Sequence, residues 1–317
     1  MRVRQIDAFR GFAIVLMVFF TLYALLSNGP DFLLHNKPDS LHAGDFVLPL
    51  FIFASGMSLF FFTQKRKSRP AKYVLDSMER FWKLVLISFF LMLLLGAAPF
   101  TMDELMLIAL LSLPTIVLAL FPEIFIYAGI LLPPALYLIL LYTGSLPNFN
   151  AAYLGGYPAA IFYLPVMLFG FLAGKSVSEK KSLLPLFASM LVLTALLLFL
   201  VPPYKMEASP SFMALASLLS LILYICVERI ISIPSFQSVP VLFFEYLGRN
   251  PIRYWVLMFL LFIIPVRFYL FAGGQHTAGL EPAQAVLVSL AFSIILFLVS
   301  KLMDWIIWFR RKSVQKN

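Results

Sequence analysis

The polar segment HNKPDSLHAGD, residues 35–45, combines side chains that acid–base catalysis uses. It holds His35 and His42, with Asp39 between them and Asp45 at the start of an apolar run. An imidazole with a pKa of about 6.5 exchanges protons at neutral pH, and a carboxylate behind it stabilises the imidazolium. The segment therefore indicates proton transfer or nucleophilic chemistry. A solvated loop with incidental histidines is the alternative interpretation.

Asp45 stands out because ionisable groups at membrane depth are costly and tend to be functional. It also suits the N-cap of the apolar helix that follows. On an unbroken helix, His35, Asp39 and His42 would share one face and suit a metal ion. Pro38 argues against such a helix, so we predict no metal site.

Basic residues accompany two further polar motifs. RQIDAFRG places Asp7 and Arg10 one helical turn apart, which predicts an intrahelical ion pair or, alternatively, part of an anion pocket. YLGRNPIRYW, residues 246–255, places Pro251 in the first turn of a helix with Asn250 as its cap. Its functional alternative is a partly unwound polar segment between helices. Glu245 is expected to pair with a nearby arginine.

The elements that hold these residues must lie in a membrane. The chain is 62% hydrophobic and only 12% charged, whereas soluble domains carry about 25% charged residues. Residues 11–28 contain no charged side chain, and about 20 apolar residues span a bilayer. Many more apolar runs follow and no cleavage site does, so this first run is not a signal peptide.

Walker, G-x-S-x-G, H-E-x-x-H and Cys-x-x-Cys patterns do not occur in the chain, so these enzyme templates do not apply.

The predicted fold is an all-α polytopic membrane protein, a single bundle of about ten transmembrane helices in one domain over residues 1–317. The backbone must satisfy its own hydrogen bonds in lipid, so each span is expected to be helical. The expected spans are 11–28, 44–63, 82–98, 104–121, 124–143, 157–174, 184–201, 211–230, 254–272 and 283–303. The piece 239–247 is too short to cross and predicts an interfacial or re-entrant helix. Gly170 and Gly174 predict a small-residue packing face.

The distribution of basic residues predicts the orientation. With ten spans and a cytoplasmic N-terminus, most basic residues face the cytoplasm, and only Lys37, Lys205 and Arg267 face outward. The positive-inside rule predicts this bias. Both termini are therefore expected in the cytoplasm, and the protein in the cell membrane. The net charge of +9 indicates orientation, with attraction of anionic lipid or a phosphorylated cosubstrate as a second role. No nucleic-acid partner is predicted.

Three motifs together resemble the transmembrane acyltransferases related to heparan-α-glucosaminide N-acetyltransferase. IDAFRGFAIVLMVF resembles the first-span signature of that family. Asp45 follows His35 by ten residues and opens GDFVLPLFIFASGMSL, and both features resemble the family's outer loop and second span. LGRNPIRYW resembles the family's Gly-x-Asn-Pro stretch before a late span. The resemblance covers about the first 65 residues and again residues 246–255.

The resemblance implies transfer of an acetyl group from cytosolic acetyl-CoA to an amino sugar or glycan on the extracytoplasmic side. It assigns catalysis to His35 and not to His42, with Asp45 and Asn250 at further family positions. His35 would act as a general base or form an acyl-imidazole. Asp45 would orient the imidazole, and Asn250 would donate a hydrogen bond to the thioester oxyanion.

Acetyl-CoA is the expected cosubstrate, without a metal, and its anionic phosphates would bind basic residues at the cytoplasmic mouth. The residues expected to form this site are Asp7, Arg10, Arg80, Lys83, Arg249 and Arg253. A transporter or flippase for a lipid-linked sugar or small anion is the main alternative, because a broken helix near the bilayer midplane would serve it equally well. A catalytically inactive membrane subunit is a third hypothesis. Small-residue faces are compatible with a homodimer as well as with packing inside one bundle.

Overall fold

The computed structural model describes residues 3–27, 29, 31–33, 41–66, 70–98, 101–147, 156–205, 207–233, 239–273 and 279–314. Every regular element within these ranges is helical. The helices are α1 (Arg4–Leu26), α2 (Val47–Arg66), α3 (Pro70–Leu94), α4 (Glu104–Leu118), α5 (Ile124–Tyr142), α6 (Gly156–Ser178), α7 (Leu184–Leu200), α8 (Pro210–Ser232), α9 (Val239–Arg249), α10 (Pro251–Met258), α11 (Ile264–Ala272) and α12 (Pro282–Val314). A 3₁₀ turn, Ala43–Phe46, leads into α2, and a π-helical turn, Phe259–Ile263, joins α10 to α11.

Seven helices of the described residues are long and apolar enough to cross a membrane. They are Arg4–Leu26, Ala43–Arg66, Ile124–Tyr142, Gly156–Ser178, Pro210–Ser232, Pro251–Leu270 and Pro282–Ile306. Two further predicted spans correspond to the shorter apolar helices α4 and α7. The predicted span 82–98 overlaps the second half of α3, whose first half carries several charged residues. The all-helical fold is thus confirmed for the described residues, with seven candidate membrane-spanning helices, while ten spans and the orientation stay predictions.

Helices α2 and α6 cross at glycines, so their backbones touch. A Cβ atom on Gly56 would lie 2.0 Å from the Met167 carbonyl oxygen, and one on Gly170 would lie 2.1 Å from that of Phe53. Gly174 makes a similar approach one turn further along α6. The predicted small-residue packing face is therefore confirmed. This crossing fixes the middle of α2, whose two ends carry candidate site residues.

Helix α9 packs in the same way against the first turns of α1. A Cβ atom on Gly248 would lie 1.7 Å from the Asp7 carbonyl oxygen, and one on Gly11 would lie 1.9 Å from that of Phe244. The short helix expected near residues 239–247 is therefore present. It holds the N-terminal end of α1 against the rest of the bundle.

Helices α1 and α2 run antiparallel, which defines two ends of the bundle. The Arg10 Nη1 atom donates a hydrogen bond to Ser58 Oγ at 3.0 Å, so the start of α1 meets the end of α2. At the opposite end, the Leu280 amide donates to the Leu26 carbonyl oxygen at 2.8 Å. We name the first the basic end, and the second, which includes Asp45 before α2, the far end.

Candidate active site

A cavity of about 420 Å³ opens between helices at the basic end. Helices α1, α2, α3, α4 and α10 contribute its walls. The lining residues are Arg10, Phe51, Ser55, Phe62, Arg66, Asp76, Glu79, Arg80, Lys83, Leu84, Leu105, Ile108, Pro251, Ile252 and Trp255. Four of them are cations and two are carboxylates, so the cavity carries a net positive charge. Phosphate and carboxylate groups are the ligands that such a surface favours.

The cations of this cavity differ in how far carboxylates neutralise them. Arg66 pairs with Asp76 and lies 4.2 Å from the ring centroid of Phe62. Arg80 lies 5.8 Å from the same ring. Within the described part of the chain, neither Arg80 nor Lys83 has a carboxylate oxygen within 4.0 Å of its side-chain nitrogens. These two side chains are therefore the cations best placed to bind an added anion.

Arg80 precedes the apolar part of α3, and its surroundings disfavour its positive charge. Burial, together with repulsion from Arg10 and Arg66, lowers the pKa of the Arg80 guanidinium to about 10. The side chain nevertheless stays protonated at neutral pH. A bound anion would relieve the repulsion between these three cations, which favours anion binding at this point.

Arg10 joins α1 to two neighbouring elements at the edge of the cavity. Its Nη2 atom donates to an Asp7 carboxylate oxygen and, at 2.6 Å, to the Gly248 carbonyl oxygen, and its Nη1 atom donates to Ser58. The ion pair predicted within the RQIDAFRG motif is confirmed. Asp7 is buried and is not a lining residue, but it binds the Arg10 side chain, which lines the cavity.

The arginines of the LGRNPIRYW motif are not among the residues that line the cavity, although Pro251, Ile252 and Trp255 of the same motif line it. The exposed Arg249 lies 3.8 Å from Glu245. Arg253 Nη1 donates to Asp304 Oδ1 at 2.6 Å.

Glu245 also accepts a 2.8 Å hydrogen bond from Arg4, so its predicted pairing with arginine is confirmed. Asn250 is exposed and occupies the N-cap of α10, but its side chain makes no capping hydrogen bond. The structure therefore brings Arg10, Arg80 and Lys83 together. It does not place Arg249 or Arg253 among the cavity's lining residues.

The far end holds a second, buried set of charges around Asp45. Lys205 Nζ lies 2.8 Å from Asp45 Oδ1, and the His42 amide donates to Asp45 Oδ2 at 2.9 Å. The His42 Nδ1 atom lies 3.7 Å from the same carboxylate oxygen. Residue exposures are 1% for Asp45, 6% for His42 and 9% for Lys205. Asp45 therefore accepts a hydrogen bond from the backbone at the start of the 3₁₀ turn before α2 and also forms an ion pair, while its predicted function as the N-cap of α2 stays a prediction.

Two members of this cluster were not predicted as site residues. The family resemblance assigns catalysis to His35 and not to His42, although the three-residue separation of His42 from Asp45 is a local signal for contact. The positive-inside pattern makes Lys205 an outward-facing charge, and no local pattern connects it to Asp45, 160 residues away. His35, the predicted catalytic histidine, lies outside the described residues.

Helix α2 relates the cavity to the far-end cluster. Phe51 lines the cavity and follows Asp45 by six residues, which corresponds to about 9 Å along a helix. Ser58 at the basic end is about 20 Å from Asp45 by the same rise. Asn250 is at the basic end, so the structure does not bring it together with Asp45, and it is poorly placed to act on the same atom.

The bundle thus holds a basic cavity and, separately, a buried carboxylate with an imidazole beside it. Besides its charged groups, the lining of the cavity includes the apolar side chains of Phe51, Leu105 and Ile108. In the described ranges, no group of three or more His, Cys, Asp or Glu residues is placed to hold a metal ion.

Comparison with known families adds one match. The family model described as heparan-alpha-glucosaminide N-acetyltransferase, catalytic, matches residues 2–201, which is more than half of the chain. The matched part includes α1 to α4, four of the five helices that line the cavity, and Asp45. It ends before Lys205 and before the LGRNPIRYW motif. A search of curated proteins found no match.

Proposed function

The chain belongs to the heparan-alpha-glucosaminide N-acetyltransferase catalytic family, and on that premise we propose that it transfers acetyl groups across a membrane from acetyl-CoA. The acceptor is an amino sugar or another glycan, acetylated on nitrogen or oxygen. The observation that carries the proposal is the basic cavity, whose lining also includes apolar side chains, among them Phe51, six residues after Asp45 on the same helical segment. Its charge distribution suits a donor with an anionic head and an uncharged arm.

The head of acetyl-CoA carries several phosphates, which suit the unneutralised cations of the cavity. Arg80 and Lys83 would bind phosphate oxygens, with Arg10 held ready by Asp7. Phe62 offers an aromatic face beside the arginines. The uncharged pantetheine arm would lie along the apolar side chains of the lining and point the thioester toward the far end. Arg249 and Arg253 could reach the head only from outside this lining, and their role in binding stays a prediction.

Transfer at the far end requires a base for the acceptor. In the direct mechanism, His35 takes the proton as the acceptor nitrogen or oxygen attacks the thioester carbon. The C–S bond then breaks, and the CoA thiolate leaves and takes up a proton. In the two-step mechanism, the imidazole itself attacks the thioester carbon and the CoA thiolate leaves with uptake of a proton. The acceptor then attacks the acyl-imidazole, takes the acyl group and gives up its proton as the imidazole is regenerated. Asp45 stabilises the imidazolium in both. His42 is the second candidate base because it lies beside Asp45.

The charge bias supports one direction of transfer. Arg66, Lys175 and other basic residues at the ends of the helices favour a cytosolic position for the basic end by the positive-inside rule. Acetyl-CoA would then enter from the cytosol, and the acceptor would meet Asp45 on the extracytoplasmic side of a cell membrane. The anionic lipid of the cytoplasmic leaflet would contact the same basic surface.

Thiol release from acetyl-CoA tests the proposal. Purified protein in detergent is assayed with glucosamine as trial acceptor, for wild type and for His35→Ala, His42→Ala and His276→Ala, the last as control. We expect release by wild type and by the control, and a loss of about 100-fold in the variant that lacks the catalytic base. If both His35→Ala and His42→Ala release thiol at the wild-type rate, neither histidine is the base in this mechanism. Absence of release by wild type, with no thermal stabilisation by acetyl-CoA, would favour transport.

A further inference from the structure

Lys205 is a buried lysine whose position the family match does not explain. It lies in the loop between α7 and α8, four residues beyond the matched range, and is 9% exposed. Its ammonium group lies 2.8 Å from the Asp45 carboxylate. The positive-inside count treats it as one of few outward charges, yet the structure removes it from the surface. Burial of a lysine is costly unless an anion compensates it, so its placement calls for a functional reason.

The loop that carries Lys205 is held by side chains on both sides. Ser209 accepts hydrogen bonds from the amides of Tyr204, at 2.9 Å, and Phe212, at 3.3 Å, and so caps α8. On the other side, Tyr137 of α5 donates to Glu207 at 3.2 Å. The loop is therefore anchored to α5 and α8, and it presents Lys205 to Asp45 from a fixed backbone.

Capping alone does not require this ion pair. The His42 amide already satisfies one Asp45 oxygen, and a neutral donor would satisfy the other. Asp45 faces His42 from its own turn, Lys205 from the α7–α8 loop, and Tyr163 of α6, on which Asp45 acts electrostatically. Lys205 contacts Asp45 Oδ1, whereas His42 lies on the side of Oδ2.

We propose that Lys205 is a positioning residue for acetyl transfer. Its ammonium group holds Asp45 Oδ1, which fixes Asp45 Oδ2 on the side of His42. The carboxylate is then ready to orient an imidazole and stabilise its cation when the acceptor is deprotonated. This inference rests on the proposed function, because it assigns Lys205 a part in that same reaction. Lys205 itself touches neither the donor nor the acceptor in this mechanism.

A double-mutant cycle tests the proposal, because residues that act through each other are not additive. The variants are Lys205→Met, Asp45→Asn and their combination, with Lys205→Arg as the charge-conserving variant. Lys181→Met is the control, since Lys181 is an exposed lysine in an ion pair with Glu179. Thiol release gives kcat and KM for acetyl-CoA, and each preparation is normalised to its acetyl-CoA binding stoichiometry, so that unfolded protein does not count.

We expect Lys205→Met to lower kcat roughly tenfold, the scale at which outer-shell partners act on catalytic groups, with KM for acetyl-CoA unchanged. Lys205→Arg should recover most of the loss. The double variant should be no slower than Asp45→Asn alone. If Lys205→Met keeps the wild-type kcat, or if the losses of the two single variants add up in the double variant, the positioning role of Lys205 is overturned. The wild-type enzyme is still active in either case, so the proposed function stands. An inactive wild type would instead overturn the proposed function and this inference with it.

Discussion

The basic cavity and the far-end cluster use charge in opposite ways. At the cavity, Arg80 and Lys83 are cations with no ion-pair partner in the described residues, beside a pair formed by Arg66 and Asp76. At the far end, Asp45 is almost fully buried and is matched by Lys205. A site that captures an anionic ligand needs unneutralised charge, whereas a site that orients a reacting group needs charge that is fixed in place.

The two regions also differ in how they depend on the fold. The cavity collects residues from five helices, of which α1 to α4 follow one another along the chain. The far-end cluster joins the start of α2 to a loop 160 residues away. Helix α2 connects both, and its crossing with α6 holds the two at a fixed separation.

The largest effect is expected at the α2–α6 crossing. Gly170→Ala places a Cβ atom 2.1 Å from the Phe53 carbonyl oxygen, so the helices must separate. Overpacking of this kind costs about 3 kcal/mol of stability, which should appear as a lower Tm in detergent and as impaired binding and transfer together. Gly273→Ala is the matched control, because its Cβ would meet atoms no closer than 3.6 Å. A Tm in Gly170→Ala equal to that of the control would contradict the close crossing.

Asp45→Asn should separate the two regions by function. The side chain keeps its shape but loses the charge that Lys205 and an imidazolium require. We expect kcat for thiol release to fall by about 100-fold while KM for acetyl-CoA stays near the wild-type value. A rise in KM with unchanged kcat would mean that Asp45 acts in donor binding, and that the division between the regions is wrong.

Asp76→Asn should strengthen the cavity as an anion site. The substitution removes the carboxylate that pairs with Arg66 and leaves one more unneutralised guanidinium facing the cavity. A partly exposed pair of this kind is worth at most about 1 kcal/mol, so we expect acetyl-CoA affinity to rise by about threefold. The gain should shrink at high salt, because added ions screen the charge. Weaker binding would show that Asp76 contacts the donor or that Arg66 needs its partner for its position.

The smallest effect is expected at an ion pair outside both regions. The hydrogen bond from Lys175 lowers the pKa of the Glu123 carboxyl, so the pair stabilises the fold above the unfolded-state pKa of about 4.3. This stabilisation is lost as the pH falls through the lowered folded-state pKa. Lys175→Met should therefore lower the free energy of unfolding by a few tenths of a kcal/mol at neutral pH, which is about the median for exposed ion pairs. In strong acid the substitution should leave the free energy of unfolding unchanged. Melting curves at both pH values check this, and changed thiol release would contradict it.

The sequence predicted local relations far better than distant ones. The Asp7–Arg10 ion pair, the glycine face of α6 and the short helix α9 all follow from spacings of a few residues, and each is present. Helical membrane spans follow from hydropathy alone, since lipid leaves the backbone no other solution.

The unpredicted contacts join distant parts of the chain. Lys205 meets Asp45, and Arg253 meets Asp304 instead of lining the cavity, because helix packing decides which loops and faces become neighbours. The direction in which Arg249 and Arg253 point depends on the rotation of α9 and α10, respectively, and a motif does not contain that information. His35 lies outside the described residues, so its role stays a prediction.

The most direct test of the two-region account is a titration of acetyl-CoA into wild type, Arg80→Gln and Asp45→Asn, in the same detergent at low salt. Arg80→Gln removes an unneutralised guanidinium of the cavity, and loss of a charged hydrogen bond of this kind weakens binding by about tenfold or more. We predict that loss for Arg80→Gln and wild-type affinity for Asp45→Asn. Equal affinity in all three proteins, or weaker binding by Asp45→Asn alone, would contradict the assignment of donor binding to the basic cavity.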